Sequence, residues 1–368
     1  MKSSLPVLRE LDVRDSTILK GLAIIAIVLH NFFHFVSPAR QNEFAFHPGS
    51  FQIFLREASH PSLAIQAFFS FFGHFGVQIF VFLSAFGLAK SHWDDEPSWS
   101  AFMASRIRKL YPMFLLIIIP WVFSTAVWMG PSRLANEVIP NVTATVLGVS
   151  TLVGFTLPPV GPWWFIPFIM QFYAIWLVLR WIGHRFGWKG LVALAAGCLV
   201  LTQLADPLLA RWSINLTTTP IGRMPGICFG IIAARYPVRI SGAVATVGLA
   251  SLILGSLYGA IFPLTFIGVL IASLWLYVQF RNVLRNSRLL ERIGECSMLI
   301  FLLNAIVRNR LVGYASSPAS QLFWGFLSAA ISIAISNLLA RLLEPQRAPA
   351  FAPAEFAARP ATDRSAIA

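Results

Sequence analysis

Lys20, His30, Asn31 and His34 share one apolar run, which reads Leu19-Lys20-Gly21-Leu22-Ala23-Ile24-Ile25-Ala26-Ile27-Val28-Leu29-His30-Asn31-Phe32-Phe33-His34. Ionisable and strongly polar groups in so apolar a stretch are costly in lipid and usually mark function. Imidazole titrates nearest to neutrality of all side chains, so it can take a proton from a hydroxyl within hydrogen-bond reach. His30 follows Lys20 by ten residues, about 15 Å along a helix, which predicts a position near the bilayer centre if Lys20 marks the cytoplasmic end. His34 lies one turn further on the same face. A packing histidine bonded to a neighbouring carbonyl is the competing reading. The grouping of two histidines and an asparagine with a lysine favours a site, with His30, Lys20 and His34 as catalytic candidates.

Three further groups of residues invite a chemical reading. Arg106, Arg108 and Lys109 precede Leu110-Tyr111-Pro112 at a helix entry. Cations so placed suit the phosphates of a nucleotide-bearing cofactor, and plain topology signalling explains them equally well. Trp163 and Trp164 follow Gly161-Pro162, with Gln171 and Tyr173 further into the same apolar block. Paired tryptophans commonly form an interfacial belt, whereas Gln171 inside a span is less easily dismissed. Arg223, and Asn304 with Arg308 one turn on, are polar residues in later apolar blocks. Trp163, Trp164, Gln171, Tyr173, Arg223 and Asn304 are therefore the candidate substrate contacts. Cys198, Cys228 and Cys296 lie in apolar blocks without metal-ligand spacing, so no metal is expected.

The elements that must position these residues are membrane helices. The 368-residue chain is 57% hydrophobic and 12% charged, with mean hydropathy +0.71, whereas soluble domains carry about 25% charged residues. Its apolar residues fall in continuous blocks of about 20, the length that crosses ~30 Å of hydrocarbon as a helix. The blocks cover 18–36, 65–89, 111–129, 139–157, 163–182, 190–206, 220–235, 241–259, 261–279, 294–312 and 321–342. The block 139–157 is the weakest, being rich in Thr, Val and Gly and ending in Leu157-Pro158-Pro159. Leaving it out puts 21 of the 28 basic residues on one side, as the positive-inside bias requires.

The expectation is an all-α polytopic bundle of about ten spans with both termini cytoplasmic. Residues 1–17 form a cytoplasmic leader, 18–342 one transmembrane domain, and the Ala- and Pro-rich 343–368 a disordered tail. No transporter-type repeat is visible. The net charge of +13 reflects loop arginines and lysines, so nucleic acid is not an expected partner.

Taken in order, these segments resemble membrane-bound acyltransferase family 3, the multi-span O-acyltransferases that decorate bacterial polysaccharides. Leu19 to His30 resembles the family's opening basic–Gly–apolar–His helix. Gly76-Val77-Gln78-Ile79-Phe80-Val81-Phe82-Leu83-Ser84-Ala85-Phe86 is similar to its Gly-Val-Asp-Leu-Phe-Phe-Val-Leu-Ser-Gly-Phe stretch. Arg106 to Pro112 resembles the basic run ending in Tyr-Pro, and Trp163-Trp164-Phe165 with Gln171, Phe172 and Tyr173 its Trp-Phe-Leu…Phe-Tyr span. Arg223 to Gly230 and Ile293 to Asn304 resemble two later spans. The likeness runs from about 14 to 342.

The resemblance implies acyl-CoA, usually acetyl-CoA, as a cytoplasmic donor substrate, with no permanently bound cofactor. Arg106, Arg108, Lys109 and Ser84 would then meet the donor. A carbohydrate hydroxyl would be the acceptor, with the first-span histidine as its base and the nearby cation stabilising developing charge. The implied location is the bacterial inner membrane, among lipids, with no oligomeric state indicated. The chain departs from the family pattern in three places. The cation precedes His30 by ten rather than eleven positions, so Asn31 takes the eleventh. Asn304 follows Leu302-Leu303 where the family often has His, and Gln78 replaces an acid. A transporter or flippase of a lipid-linked sugar, and a non-catalytic family member, are the competing readings.

Overall fold

The computed structural model describes residues 7–42, 44–154 and 160–343. The expected tail therefore lies outside the described residues, as does the Leu157-Pro158-Pro159 run. The described residues form helices and connecting turns with no strand among them. In chain order the α-helices are α1 Val13–Val36, α2 Ser50–Ala58, α3 Ala64–Phe72, α4 Gly76–Ser91, α5 Trp99–Met129, α6 Pro131–Arg133 and α7 Ile139–Val146. They continue as α8 Phe165–Leu209, α9 Pro220–Arg235, α10 Gly242–Leu257, α11 Leu264–Leu284, α12 Arg288–Glu295, α13 Ser297–Leu311 and α14 Pro318–Leu343.

Six segments are long and apolar enough to cross a membrane: 13–36, 64–91, 99–129, 161–212, 264–284 and 318–343. Large apolar side chains such as Phe123, Val127, Trp128, Leu204, Val247 and Val283 are exposed on these and neighbouring helices. Such outward-facing apolar surface is what a lipid-solvated bundle presents.

The helix α1 begins five residues before the apolar block that predicted it. Asp12 accepts from the Asp15 backbone N–H while the Asp15 carboxylate accepts from the Asp12 N–H, a reciprocal cap that nucleates the first turn. The buried Asp15 carboxylate also accepts from Tyr277 Oη at 2.7 Å, from Arg281 and from Arg285. Those partners allow a charged residue to sit in the first turn of an apolar helix.

The weak block 139–157 does not form a long helix. α7 ends at Val146, Gly148 takes φ +77°, and the Val149 N–H turns back to Ala144 O, the pattern of a glycine-terminated helix. The adjoining α8 has 45 residues, about 67 Å at the helical rise and far beyond one bilayer. It breaks at Gly187, whose φ of 61° and ψ of −157° suit only glycine.

α1 is the hub, packing against α3, α4, α12, α13 and α14. Its approach to α12 depends on two glycines, Gly21 beneath Leu290 O and Gly294 beneath Thr17 O. An added Cβ at either glycine would clash with those oxygens. α9 is wedged between α4 and α8, and α10 pairs with α11.

Candidate active site

One stripe of α1 carries Lys20, Ile27, Asn31 and His34, spaced by seven, four and three residues. His30 points about 80° away from Lys20 around the helix. The helix ends at Val36, so His30 stands about 9 Å from its C-terminal end.

His30 is 5% exposed, and its Nδ1 lies 3.2 Å from Phe69 O. A carbonyl oxygen can only accept, so the proton belongs on Nδ1 and the lone pair on Nε2. The His34 ring is 5.0 Å from that of His30, centroid to centroid, and the His74 ring is 5.3 Å away. Among the described residues no carboxylate bonds to any of the three, and no group of side chains suits a metal ion.

Arg308 is one of the cations beside this cluster, with Arg40 near His34 and Arg223 near His74. Arg308 donates to Asn31 O at 3.2 Å and to Asn309 Oδ1, and its guanidinium lies 4.1 Å from the Phe35 ring centroid. Asn31 Nδ2 donates to Asn304 Oδ1 at 2.7 Å, which ties α1 to α13 at this level. The Asn304 amide in turn donates to Ile300 O and Phe301 O.

Lys20 occupies a different place. It lines a cavity of about 180 Å³ with Ser84, Tyr173 and Ser297, closed by Ile27 and Phe301 among others. Lys20 has no hydrogen-bond or ion-pair partner among the described residues. Ser84 Oγ donates to Phe80 O at 2.7 Å. The helical rise puts Lys20 about 15 Å from His30, so the two cannot act on one atom together. The structure thus arranges two stations along α1, a cation in a cavity and a histidine cluster, with Ile27 between them.

The other expected site residues divide between these stations and the core. Leu110 lines the Lys20 cavity, while Arg108 and Lys109 are exposed on the helix just before it. Arg106 Nη2 donates to His92 Nε2 at 2.7 Å, and the other His92 nitrogen donates to Asp95 Oδ2. The Arg106 guanidinium lies over the Phe102 ring at 5.1 Å.

Trp163 is fully buried, with Nε1 donating to Leu302 O and its rings against Phe114 and Trp121. Trp164 packs on Phe44 and Phe168. Both are core residues rather than members of an exposed interfacial belt. Gln171 donates to Gly148 O and to Thr151 Oγ1, fastening the 139–154 segment to α8. Arg223, 1% exposed, donates from Nε to Thr217 O and lies 4.4 Å from the Phe266 ring centroid.

The residue not anticipated from sequence is His74, in a 3-10 turn that interrupts the second span. Its only sequence signal is a polar residue between Gly73 and Gly76 in an otherwise apolar block.

Neither a curated relative nor a solved structure matches the chain. The family model of the acyltransferase domain, acyltransferase family 3, matches residues 13–341, which span both stations and nearly every helix described above. On that match the chain belongs to acyltransferase family 3 and is a multi-pass membrane acyltransferase.

Proposed function

We propose that the protein moves an acyl group, acetyl foremost, from acyl-CoA to a hydroxyl of a carbohydrate or polysaccharide precursor, with His30 as general base. The observation that carries this reading is the bond from His30 Nδ1 to Phe69 O. It fixes the ring and leaves Nε2 with a lone pair inside a water-poor cluster. The hydroxyl proton passes to Nε2 as the oxygen attacks the thioester carbon. The carbon–sulfur bond then breaks, and the departing thiolate takes the proton from the imidazolium.

Lys20, Ser84 and Tyr173 would receive the donor's pantetheine arm, and Arg106 a phosphate at the cavity's entrance. The arm must pass Ile27 and Phe301 to bring the thioester to His30. The topology that serves this reaction is ten spans. Dividing α8 at Gly187 and adding the shorter α9, α10 and α13 to the six long segments gives that number. The basic loops then face the cytoplasm with both termini, in the inner membrane of a bacterium.

The test is transfer or hydrolysis of radiolabelled acetyl-CoA by purified protein in detergent, wild type beside His30→Ala and His34→Ala. Label reaching a glycan fraction, and lost in His30→Ala, is the expected result. Absence of both CoA binding and label transfer in the wild type would leave a transporter or a non-catalytic family member.

A further inference from the structure

The second span is broken at its middle. α3 ends at Phe72, a 3-10 turn covers Gly73–Phe75, and α4 resumes at Gly76. No proline lies between 64 and 91, so the usual covalent cause of a kink is absent. Instead the two glycines bring the turn against α1. An added Cβ at Gly73 would sit 2.7 Å from His30 Cβ, and one at Gly76 would sit 2.6 Å from Ala23 O. A 3-10 turn inside a longer helix often marks a functional position, and interrupted membrane helices place such turns where they line a site.

The turn delivers His74. It is 1% exposed, its ring is 5.3 Å from that of His30, and it packs on Phe75 at 4.0 Å. Neither ring nitrogen makes a hydrogen bond of good geometry among the described residues, although the backbone of Phe71, in the preceding turn, interacts with the ring. Buried polar groups are almost always bonded, and an unfilled one costs about 1–3 kcal/mol. Two unfilled nitrogens on one ring, touching the base of the reaction, point to a partner that arrives with substrate. The titratable and charged groups that face His74 are His30, His34 and Arg223. No carboxylate is among them, so what this ring offers is a neutral N–H rather than an ion pair.

We propose that His74 donates a hydrogen bond to the thioester carbonyl oxygen as that oxygen becomes negative, making it the electrophilic partner of His30. The inference rests on the acyl-transfer reading above. As His30 Nε2 takes the hydroxyl proton, the carbonyl π pair moves onto oxygen and the His74 N–H bonds it. The pair returns when the carbon–sulfur bond breaks, and His74 ends with the proton it began with.

The test uses the purified full chain with labelled acetyl-CoA and an acceptor, comparing His74→Phe, His74→Gln and His74→Asn. Loss of one oxyanion donor lowers kcat by about 10²–10³-fold, and His74→Phe should do so with the acetyl-CoA KM within about threefold. One of the two amide variants should recover at least about tenfold of that loss, and which one does so identifies the donating nitrogen. The melting temperature of His74→Phe should equal or exceed that of the wild type, because an unsatisfied polar group has been removed. Wild-type transfer that His30→Ala abolishes while His74→Phe keeps kcat within threefold would overturn this inference alone. A lowered melting temperature in all three variants, without amide recovery, would also overturn it and make His74 structural. A wild type that transfers no acyl group would overturn both readings.

Discussion

Asn31 and Asn304 face each other across α1 and α13, joined by a 2.7 Å bond from Nδ2 to Oδ1. Arg308, one turn beyond Asn304, donates to the backbone oxygen of Asn31. The pair therefore lies further along α1 than the Lys20 cavity, at the level of His30 and His34. Asparagine or histidine at 304 could each accept a hydrogen bond from Asn31.

Asn304→Leu should strand the Asn31 amide in a buried place, at a cost of about 1–3 kcal/mol. Asn304→His keeps an acceptor and should lose less than about 1 kcal/mol. Thermal unfolding in detergent ranks the two. The same ranking should appear in kcat, because the bond holds α1 in register beside His30. Equal melting temperatures for the two variants would remove the pair from this role.

Lys20 and His30 stand ten residues apart on α1, in separate stations. On the proposed reaction, an ammonium about 15 Å from the base would act on the body of the donor rather than on the reacting carbon. Lys20→Met should therefore raise the acetyl-CoA KM by about tenfold or more while kcat falls much less. His30→Ala should do the opposite. Steady-state kinetics for both variants decide the matter, and a loss confined to kcat in Lys20→Met would place the cation at the reaction instead.

Much of this arrangement is legible in the sequence because lipid enforces it. Continuous apolar blocks mark most of the long helices, but α5 starts at Trp99, twelve residues before its block, α8 runs through two blocks, and within 139–157 the helix α7 stops at Val146. The start of α1 was missed because apolarity does not see a cap. Asp12 and Asp15 look like a polar leader until Tyr277, Arg281 and Arg285, more than 260 positions away, are brought against them. His74 was missed for the same reason, since its neighbour His30 lies in another span. Gln171, Trp163 and Trp164 show the converse. Their types invite a binding role, yet tertiary contacts commit the Gln171 amide to Gly148 O and Thr151 Oγ1 and the Trp163 indole N–H to Leu302 O, and bury Trp164 against Phe44 and Phe168.

Arg106 is a more selective candidate for phosphate than its neighbours. Its partner His92 is half-buried and oriented by Asp95, so the guanidinium is held in place, whereas Arg108 and Lys109 stand exposed. Arg106→Ala should raise the acetyl-CoA KM more than Arg108→Ala. The wild-type KM should also rise with ionic strength, since exposed phosphate contacts are screened over about 8 Å at physiological salt. A salt-independent KM, or equal effects of the two substitutions, would leave the basic run as a topology signal.

The Asp15 cluster makes a prediction about stability alone. Its carboxylate is fully buried and receives Tyr277, Arg281 and Arg285, whose guanidinium groups keep about a quarter of their surface exposed. Removing one partner of a fully buried pair costs about 3–5 kcal/mol, and the partial exposure of the arginines reduces that here to roughly 2–3. Asp15→Asn preserves shape but turns an amide toward two cations, so its melting temperature in detergent should fall by several degrees. Arg281→Gln should fall less, because Arg285 still reaches Oδ1. In the double variant the losses should be clearly less than additive, since each substitution already breaks the contact the other removes. Strict additivity would mean that Asp15 and Arg281 stabilise the fold through separate neighbours, and α1 would then owe its early start to the Asp12 cap alone.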